Sequence, residues 1–336
     1  MKHYERSALV LVGILVTTVV SATLSRPPVQ VPTAPKAILH LNAALQDYSV
    51  QMDVPMAAAS VVPEVETLAG TLSKSKAKKA YDSLRSHGYQ LEQVLAGDGA
   101  VPRLFLASLP HDMASLPEVK VRKDLFIKTV LPLVLQVNDE ILADRQRLWS
   151  IRHAALMDLH VRAEDRLWLR VKTEQYGLED DDMEGLLNRM DVIPPSLAVA
   201  QAAEESGWGT SRFVREGNAL FGQYAFSEDG VLIPIRRDQD KSHAIKSFAT
   251  LADSVRAYAL NLNTHLAYAR FRENRSKLRQ KGQPLNGYAL ALTLGRYSAR
   301  GEEYTKVLRT IISTNDLTQV DDVRLRPQDS IEHPAI

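Results

Sequence analysis

Residues 193–222 read IPPSLAVAQAAEESGWGTSRFVREGNALFG, and their reading decides the fold. Pro194 and Pro195 set an extended lead-in, after which Ser196 is placed to cap a helix. The small side chains of Ala198, Ala200, Ala202 and Ala203 let that helix approach its neighbours closely. Gly207 supplies the left-handed residue that ends it. Glu204 and Glu205 therefore fall in the last turn of a largely apolar helix. Unpaired carbonyls give a helix C-terminus partial negative charge, and apolar neighbours withhold solvation. Both effects raise a carboxyl pKa, which suits a general acid that must hold its proton near neutral pH. Trp208 follows closely enough to wall off either acid. Spacing alone does not choose between Glu204 and Glu205, and two exposed helix-end carboxylates would give the same text.

On the C-terminal side, Tyr224 to Ile235 alternates loosely around Asp229-Gly230 and predicts a β-hairpin, one wall of a cleft. Ser247 to Leu262 returns to helical spacing and leads to His265, which can bond a sugar or be satisfied by its own neighbourhood. Residues 270–281 (RFRENRSKLRQK) read as a solvated basic helix face, with contact to substrate carboxylates as the alternative.

On the N-terminal side, Asp165 to Tyr176 is an amphipathic helix, and the acids Glu179 to Asp182 suit the start of another. Residues 121–156 form a long helical stretch that Pro132 should kink or divide, with Leu131, Leu135, Ile141 and Leu142 as its apolar stripe. Residues 101–117 hold three prolines and read as loop and turns. Residues 76–95 are helical with an interruption at Gly88. No catalytic constellation stands out between 76 and 175, so this part reads as a packing or positioning subdomain. Further back, Pro27, Pro28, Pro32 and Pro35 make a semi-rigid spacer. A short basic start followed by the apolar run Ser7 to Leu24 has the pattern of a signal peptide or signal anchor, and implies export.

Composition narrows the function classes. Over 336 residues, 41 Lys plus Arg against 40 Asp plus Glu leave a formal charge of +1, which removes the argument for a bulk nucleic-acid binder. With no cysteine, disulfide scaffolds, thiol nucleophiles, Fe–S clusters and Cys-ligated zinc are excluded. No HExxH, paired HxH or EF-hand pattern is present, so no metal is expected.

QAAEESGWGTSRFVREGNALFG resembles the signature of the glucosaminidase family of peptidoglycan hydrolases (glycoside hydrolase family 73). There an Ala-rich helix precedes Glu-Ser-x-Trp-Gly and a Gly-Asn-x-Leu-Phe-Gly turn. Residues 221–272, the segment LNGYALALTLGRYSARGEEYTKVLRTIISTN and part of 101–145 are similar to its exported Bax-like branch. In all, the resemblance covers roughly residues 76–318. It implies a mainly α fold: a lysozyme-like helical hydrolase domain with a small β-hairpin lobe, preceded by a helical subdomain. The corresponding division is 1–25 signal peptide or anchor, 26–75 spacer and linker, 76–176 helical accessory region, 177–320 catalytic domain and 321–336 disordered tail.

The resemblance also assigns roles. The family's acid stands directly before the Ser, which is Glu205, while Glu204 takes a variable position. Tyr297 is implied near the reaction centre, orienting water or the substrate acetamido group, with Tyr304 behind it. Trp208, Asn218, Phe221, His265 and Tyr304 are implied to bind substrate. A glycosidase also needs a base, a nucleophile or the substrate's own acetamido group. Glu228 or Asp229 on the hairpin is the candidate carboxylate, with Asp238 and Asp253 as further options. No cofactor is implied. The expected activity is endo-β-N-acetylglucosaminidase cleavage of β-1,4 bonds in peptidoglycan glycan strands. The expected location is the periplasm, with residues 7–24 anchoring the chain to the inner membrane or removed after export. A lytic transglycosylase using the same Glu ranks second, because no Gly-Leu-Met-Gln follows the acid. A non-catalytic murein-binding scaffold ranks third.

Overall fold

A computed structural model describes residues 75–97, 99–225, 231–232 and 244–327. The export segment, the Pro-rich spacer, Glu228, Asp229 and Asp238 lie outside the described residues.

Ser75 accepts from the Lys78 N–H and starts α1 (Lys76–Ser86). Gly88 has a φ of 76° and interrupts the helical text before α2 (Leu91–Leu95). After turns that include a 3-10 helix at Met113–Ser115, α3 (Val119–Leu156) runs unbroken for 38 residues. Pro132 does not divide it. Leu125 to Leu135 are all buried, so neighbours clamp the helix on every side and outweigh the one backbone bond that Pro132 cannot make. The predicted stripe is also corrected: Leu131, Leu135 and Ile141 are buried, but Leu142 is 39% exposed.

Next come α4 (Ala163–Gln175) and α5 (Met183–Arg189), the latter capped by the Asp182 carboxylate on the Gly185 N–H. Helix α6 (Pro195–Ser206) carries the two acids and is buried from Pro195 to Ala203. A helix apolar all round belongs in a core, and this one packs on α3. Ser196 is not its cap. The helix starts at Pro195, so Ser196 already lies inside it and offers the first backbone N–H the helix has. A buried N–H needs an acceptor. Asp321 supplies it, taking the Ser196 N–H and hydroxyl at 2.9 Å each and the Gly287 N–H at 2.8 Å.

Helix α7 (Arg212–Gly217) leads to three short strands, β1 (Tyr224–Ala225), β2 (Val231–Leu232) and β3 (Ala244–Lys246). Among the described residues, β1 and β2, the strands expected to pair as a hairpin, do not pair with each other. The order is β1-β3-β2, with both outer strands antiparallel to β3, and Ile245 stands opposite Tyr224 on one edge and Leu232 on the other. A lone hairpin is marginal in water, whereas a central strand with both edges filled uses its backbone groups on each side.

A capping box between Thr250 and Asp253 opens α8 (Leu251–Thr264). After a 3-10 turn at Leu266–Tyr268 come α9 (Ala269–Gln280), α10 (Gly287–Leu290), a 3-10 turn at Ala291–Leu294 and α11 (Glu302–Thr314). The last helical turn is Leu317–Asp321. Residues 270–281 are not a simple solvated face. Arg275 is fully buried, and its guanidinium donates to the carbonyls of Asn188, Arg189, Asp191 and Val192, where α5 ends. Arg272 likewise bonds the carbonyls of Leu262 and His265.

Helix α6 packs on α10 and α11 as well as α3, and α8 packs on α3. The fold is mainly α, of the lysozyme-like kind, with the small sheet at one side. One core holds residues from Ala77 to Leu325, so the stretch expected as an accessory region shares its packing with the stretch that carries the acids. The expected tail begins later than 321. Arg326 N–H donates to the Val101 carbonyl at 2.8 Å, and Leu325 bridges Val101. Among the described residues no helix is long and apolar enough to cross a membrane.

Candidate active site

Gly207 ends α6 in the left-handed conformation, and Trp208 and Gly209 continue at φ 56° and 81°. This tight turn leaves Glu205 on the last turn of α6, four residues after Gln201 and on the same face. The two are linked through α11. The Tyr304 hydroxyl accepts from Gln201 Nε2 at 2.9 Å and donates to Glu205 Oε1 at 2.8 Å. Gln201 Oε1 in turn accepts from the Tyr258 hydroxyl at 2.7 Å. Gln201, Tyr258 and Tyr304 are all buried, so this is a dry relay that orients one carboxyl.

The relay assigns the two oxygens of Glu205. Tyr304 has one proton, and because it accepts from Gln201 that proton goes to Oε1. The acid's own proton therefore sits on Oε2. Oε2 is turned toward Gly222, 3.6 Å from the point a Cβ there would occupy. Burial raises the Glu205 pKa above its ordinary value; the Tyr304 hydrogen bond opposes this, Glu204 adds to it and Arg300 opposes it.

Glu204 has a different surrounding. Arg300 donates to its Oε1 at 2.6 Å, so this carboxylate is an ion-pair partner at the helix end. The geometry separates the two acids that spacing left equal.

Gly222 is part of a cavity of about 430 Å³ whose walls include Phe221, Gln223, Lys246, His265 and Tyr297. Tyr297 stacks on Tyr304 with ring centroids 5.6 Å apart, and its hydroxyl donates to the Phe221 carbonyl at 3.2 Å. The expected order of the two tyrosines is thus reversed at the acid. Tyr304 opens α11, which packs on α6, so its hydroxyl meets Glu205, while Tyr297 stands one ring outward on the cavity wall. Phe221 reaches the cavity but stacks on Tyr258 at 3.8 Å. His265 lines the cavity while its Nδ1 accepts from the Ala267 N–H, which leaves Nε2 for a ligand.

Two expected substrate contacts fall elsewhere. The Trp208 ring meets Phe126 edge-on and lies under Lys123, both on α3, rather than walling off the acid. Asn218 ends α7 at φ 51°, and its amide donates to the carbonyls of Phe248 and Ala249. Its role is to hold the turn to the segment after β3. Asp253 belongs to the α8 cap and pairs with Arg256. Among the described residues no group of His, Asp and Glu is placed to hold a metal ion.

Sequence reasoning missed Gln201, Tyr258 and Arg300. Gln201 carried a signal, being a lone amide in an Ala-rich helix one turn before the acid. Tyr258 and Arg300 carried none, because their partners are brought by tertiary packing.

Residues 181–317 match the glucosaminidase family, described as mannosyl-glycoprotein endo-beta-N-acetylglucosaminidase. Protein bax of Escherichia coli (strain K12) is 34% identical over 211 residues, which is 62% of this chain and 75% of that protein. No solved structure matches the chain. With a relay-bound glutamate set in the motif of that family, the chain belongs to the glucosaminidase family, in its Bax-like branch.

Proposed function

We propose that the protein is an exported endo-β-N-acetylglucosaminidase that cleaves β-1,4 bonds in the glycan strands of peptidoglycan, with Glu205 as general acid. Family membership supports a glycoside hydrolase acting on peptidoglycan. The finer reading rests on one observation: a carboxyl raised by burial, tied by Tyr304 on Oε1, with Oε2 turned toward the cavity edge at Gly222.

In this reading the Oε2 proton passes to the glycosidic oxygen as the bond to the anomeric carbon breaks. Glu205 meets the cavity at its Gly222 edge, and the described residues of the lining itself include no Asp or Glu. In this reading the acetamido oxygen of the substrate attacks the anomeric carbon, and water then takes its place and returns a proton to Glu205. On the same reading Tyr297, on the cavity wall, orients the acetamido group by accepting from its N–H, since its own proton goes to the Phe221 carbonyl. A base at Glu228 or Asp229 is the alternative, and both lie outside the described residues. A single carboxylate equally serves a lytic transglycosylase, in which a substrate hydroxyl closes on the anomeric carbon. Export by residues 7–24, with a periplasmic location, completes the proposal.

Digestion of sacculi with wild type and Glu205→Gln, followed by mass spectrometry of the products, tests it. Reducing N-acetylglucosamine ends from wild type alone are expected. Anhydro ends favour the transglycosylase. Sacculus binding without any product favours the scaffold, and unchanged release by Glu205→Gln removes Glu205 from the mechanism.

A further inference from the structure

The hydrogen bonds behind Glu205 run in one direction, and their far end decides it. Tyr258, on α8, is fully buried, with its ring stacked on Phe221. Among the described residues its hydroxyl has one partner, Gln201 Oε1 at 2.7 Å. Burial pushes the Tyr258 hydroxyl well above its ordinary range, so it keeps its proton at every working pH. A buried O–H with one neighbour must donate to it or stay unsatisfied.

That donation sets the Gln201 amide. With Oε1 committed to Tyr258, Nε2 faces the Tyr304 hydroxyl at 2.9 Å, and an N–H can only donate. Tyr304 is left with its own proton for Glu205 Oε1 at 2.8 Å. An amide is nearly symmetric in shape, so a half-turn about its last bond exchanges Oε1 and Nε2 without repacking. Turned that way, Gln201 would take the Tyr304 proton, and the Tyr304 oxygen would accept from Glu205 instead. The same side chains would then favour the neutral acid over the carboxylate.

We infer that Tyr258 is a positioning residue: its hydroxyl fixes the orientation of the Gln201 amide and thereby points the Tyr304 proton at Glu205. The consequence for rate rests on the reading of Glu205 as general acid, whereas the direction of the hydrogen bonds does not. The other ionisable groups acting on Glu205 are Glu204 beside it on α6, Arg300 and Tyr297 ahead of α11, and Tyr268 in the turn after α8. Among the described residues none of these bonds the Gln201 side chain, which joins Tyr258 to Tyr304.

Carbon-13 NMR of the Glu205 carboxyl in the full-length protein, assigned by its loss in Glu205→Gln, follows the titration without turnover. Tyr258→Phe keeps the ring on Phe221 and removes the proton that holds the amide. The Glu205 titration should move to higher pH than in wild type. Adding Gln201→Met to Tyr258→Phe removes the amide as well and leaves Tyr304 with Glu205 as its acceptor. The titration should then return to the wild-type position, whereas a merely loosened core would shift it in both variants. The high-pH limb of kcat/KM on soluble glycan strands should follow the NMR shift in Tyr258→Phe, with about 2- to 10-fold less activity at the optimum. A titration in Tyr258→Phe that stays in place or moves down overturns the assignment, as does a shift that persists in the double variant. An NMR shift that the rate profile does not follow leaves the role of Tyr258 standing and counts against Glu205 as the acid.

Discussion

The Tyr304 hydroxyl donates to Glu205 Oε1 at 2.8 Å while it accepts from Gln201, so the acid's environment is set by a residue 99 positions away. A donor on the carboxylate stabilises the charged form and lowers its pKa, against the larger effect of burial. A general acid works only when protonated, so activity is lost as pH rises through the Glu205 pKa. Tyr304→Phe removes the opposing hydrogen bond and leaves burial in place. The high-pH limb of kcat/KM on soluble glycan strands should therefore move upward, with activity at the optimum reduced about 10-fold by the loss of orientation. A limb that stays in place or moves down would detach Tyr304 from the acid.

Glu204 and Glu205 differ by one position and should differ greatly in consequence. Glu204 is held by Arg300 at the helix end, whereas Glu205 is held by the buried relay. Glu204→Gln should keep activity within severalfold of wild type. Glu205→Gln should lose about 10²- to 10⁴-fold, the usual contribution of acid catalysis. Steady-state rates of both variants on the same strands give the comparison, and similar losses in the two would count against the assignment.

Gly222 joins the acid to the cleft. Its φ is 58°, and a Cβ would stand 3.6 Å from Glu205 Oε2. Contact at that distance is ordinary, so Gly222→Ala should fold, at a cost of about 1–2 kcal/mol for the left-handed backbone. The methyl group would cover the oxygen that carries the proton. Activity should fall by more than the loss of Tm accounts for, as shown by kcat/KM measured well below the melting transition.

The α6 helix, its stop at Gly207 and the pair of acids were legible in the sequence because prolines, alanines and glycine act locally, on their own backbone and nearest turn. The family motif then chose Glu205. What the text could not show was long-range pairing. Tyr304 and Gln201 are 103 positions apart, and Asp321 caps a helix 125 positions upstream. The strand order failed for the same reason, since β3 comes after a stretch with no local sign of a third strand. The basic run at 270–281 misled because a charge count does not show that open carbonyls at the end of α5 await Arg275.

Asp321 gives a prediction in pH. It joins the first N–H of α6 to the first N–H of α10, and burial raises its pKa from 3.8 to about 6 despite three donors. The folded chain therefore holds this proton more tightly than the unfolded chain does. As pH falls from above 6 to below 4, the folded state gains relative to the unfolded one, by at most about 3 kcal/mol for a shift of this size. Other carboxyls act in the opposite direction, among them Asp191, which Arg275 and Arg279 hold low against burial. The total pH dependence of stability thus mixes both signs, and Asp321 is isolated by difference. Urea melts of wild type and Asp321→Asn at pH 7 and pH 4.5 should show wild type gaining on the variant as pH falls. A constant gap would mean that the carboxyl between Ser196 and Gly287 stays ionised throughout, with its three donors outweighing burial.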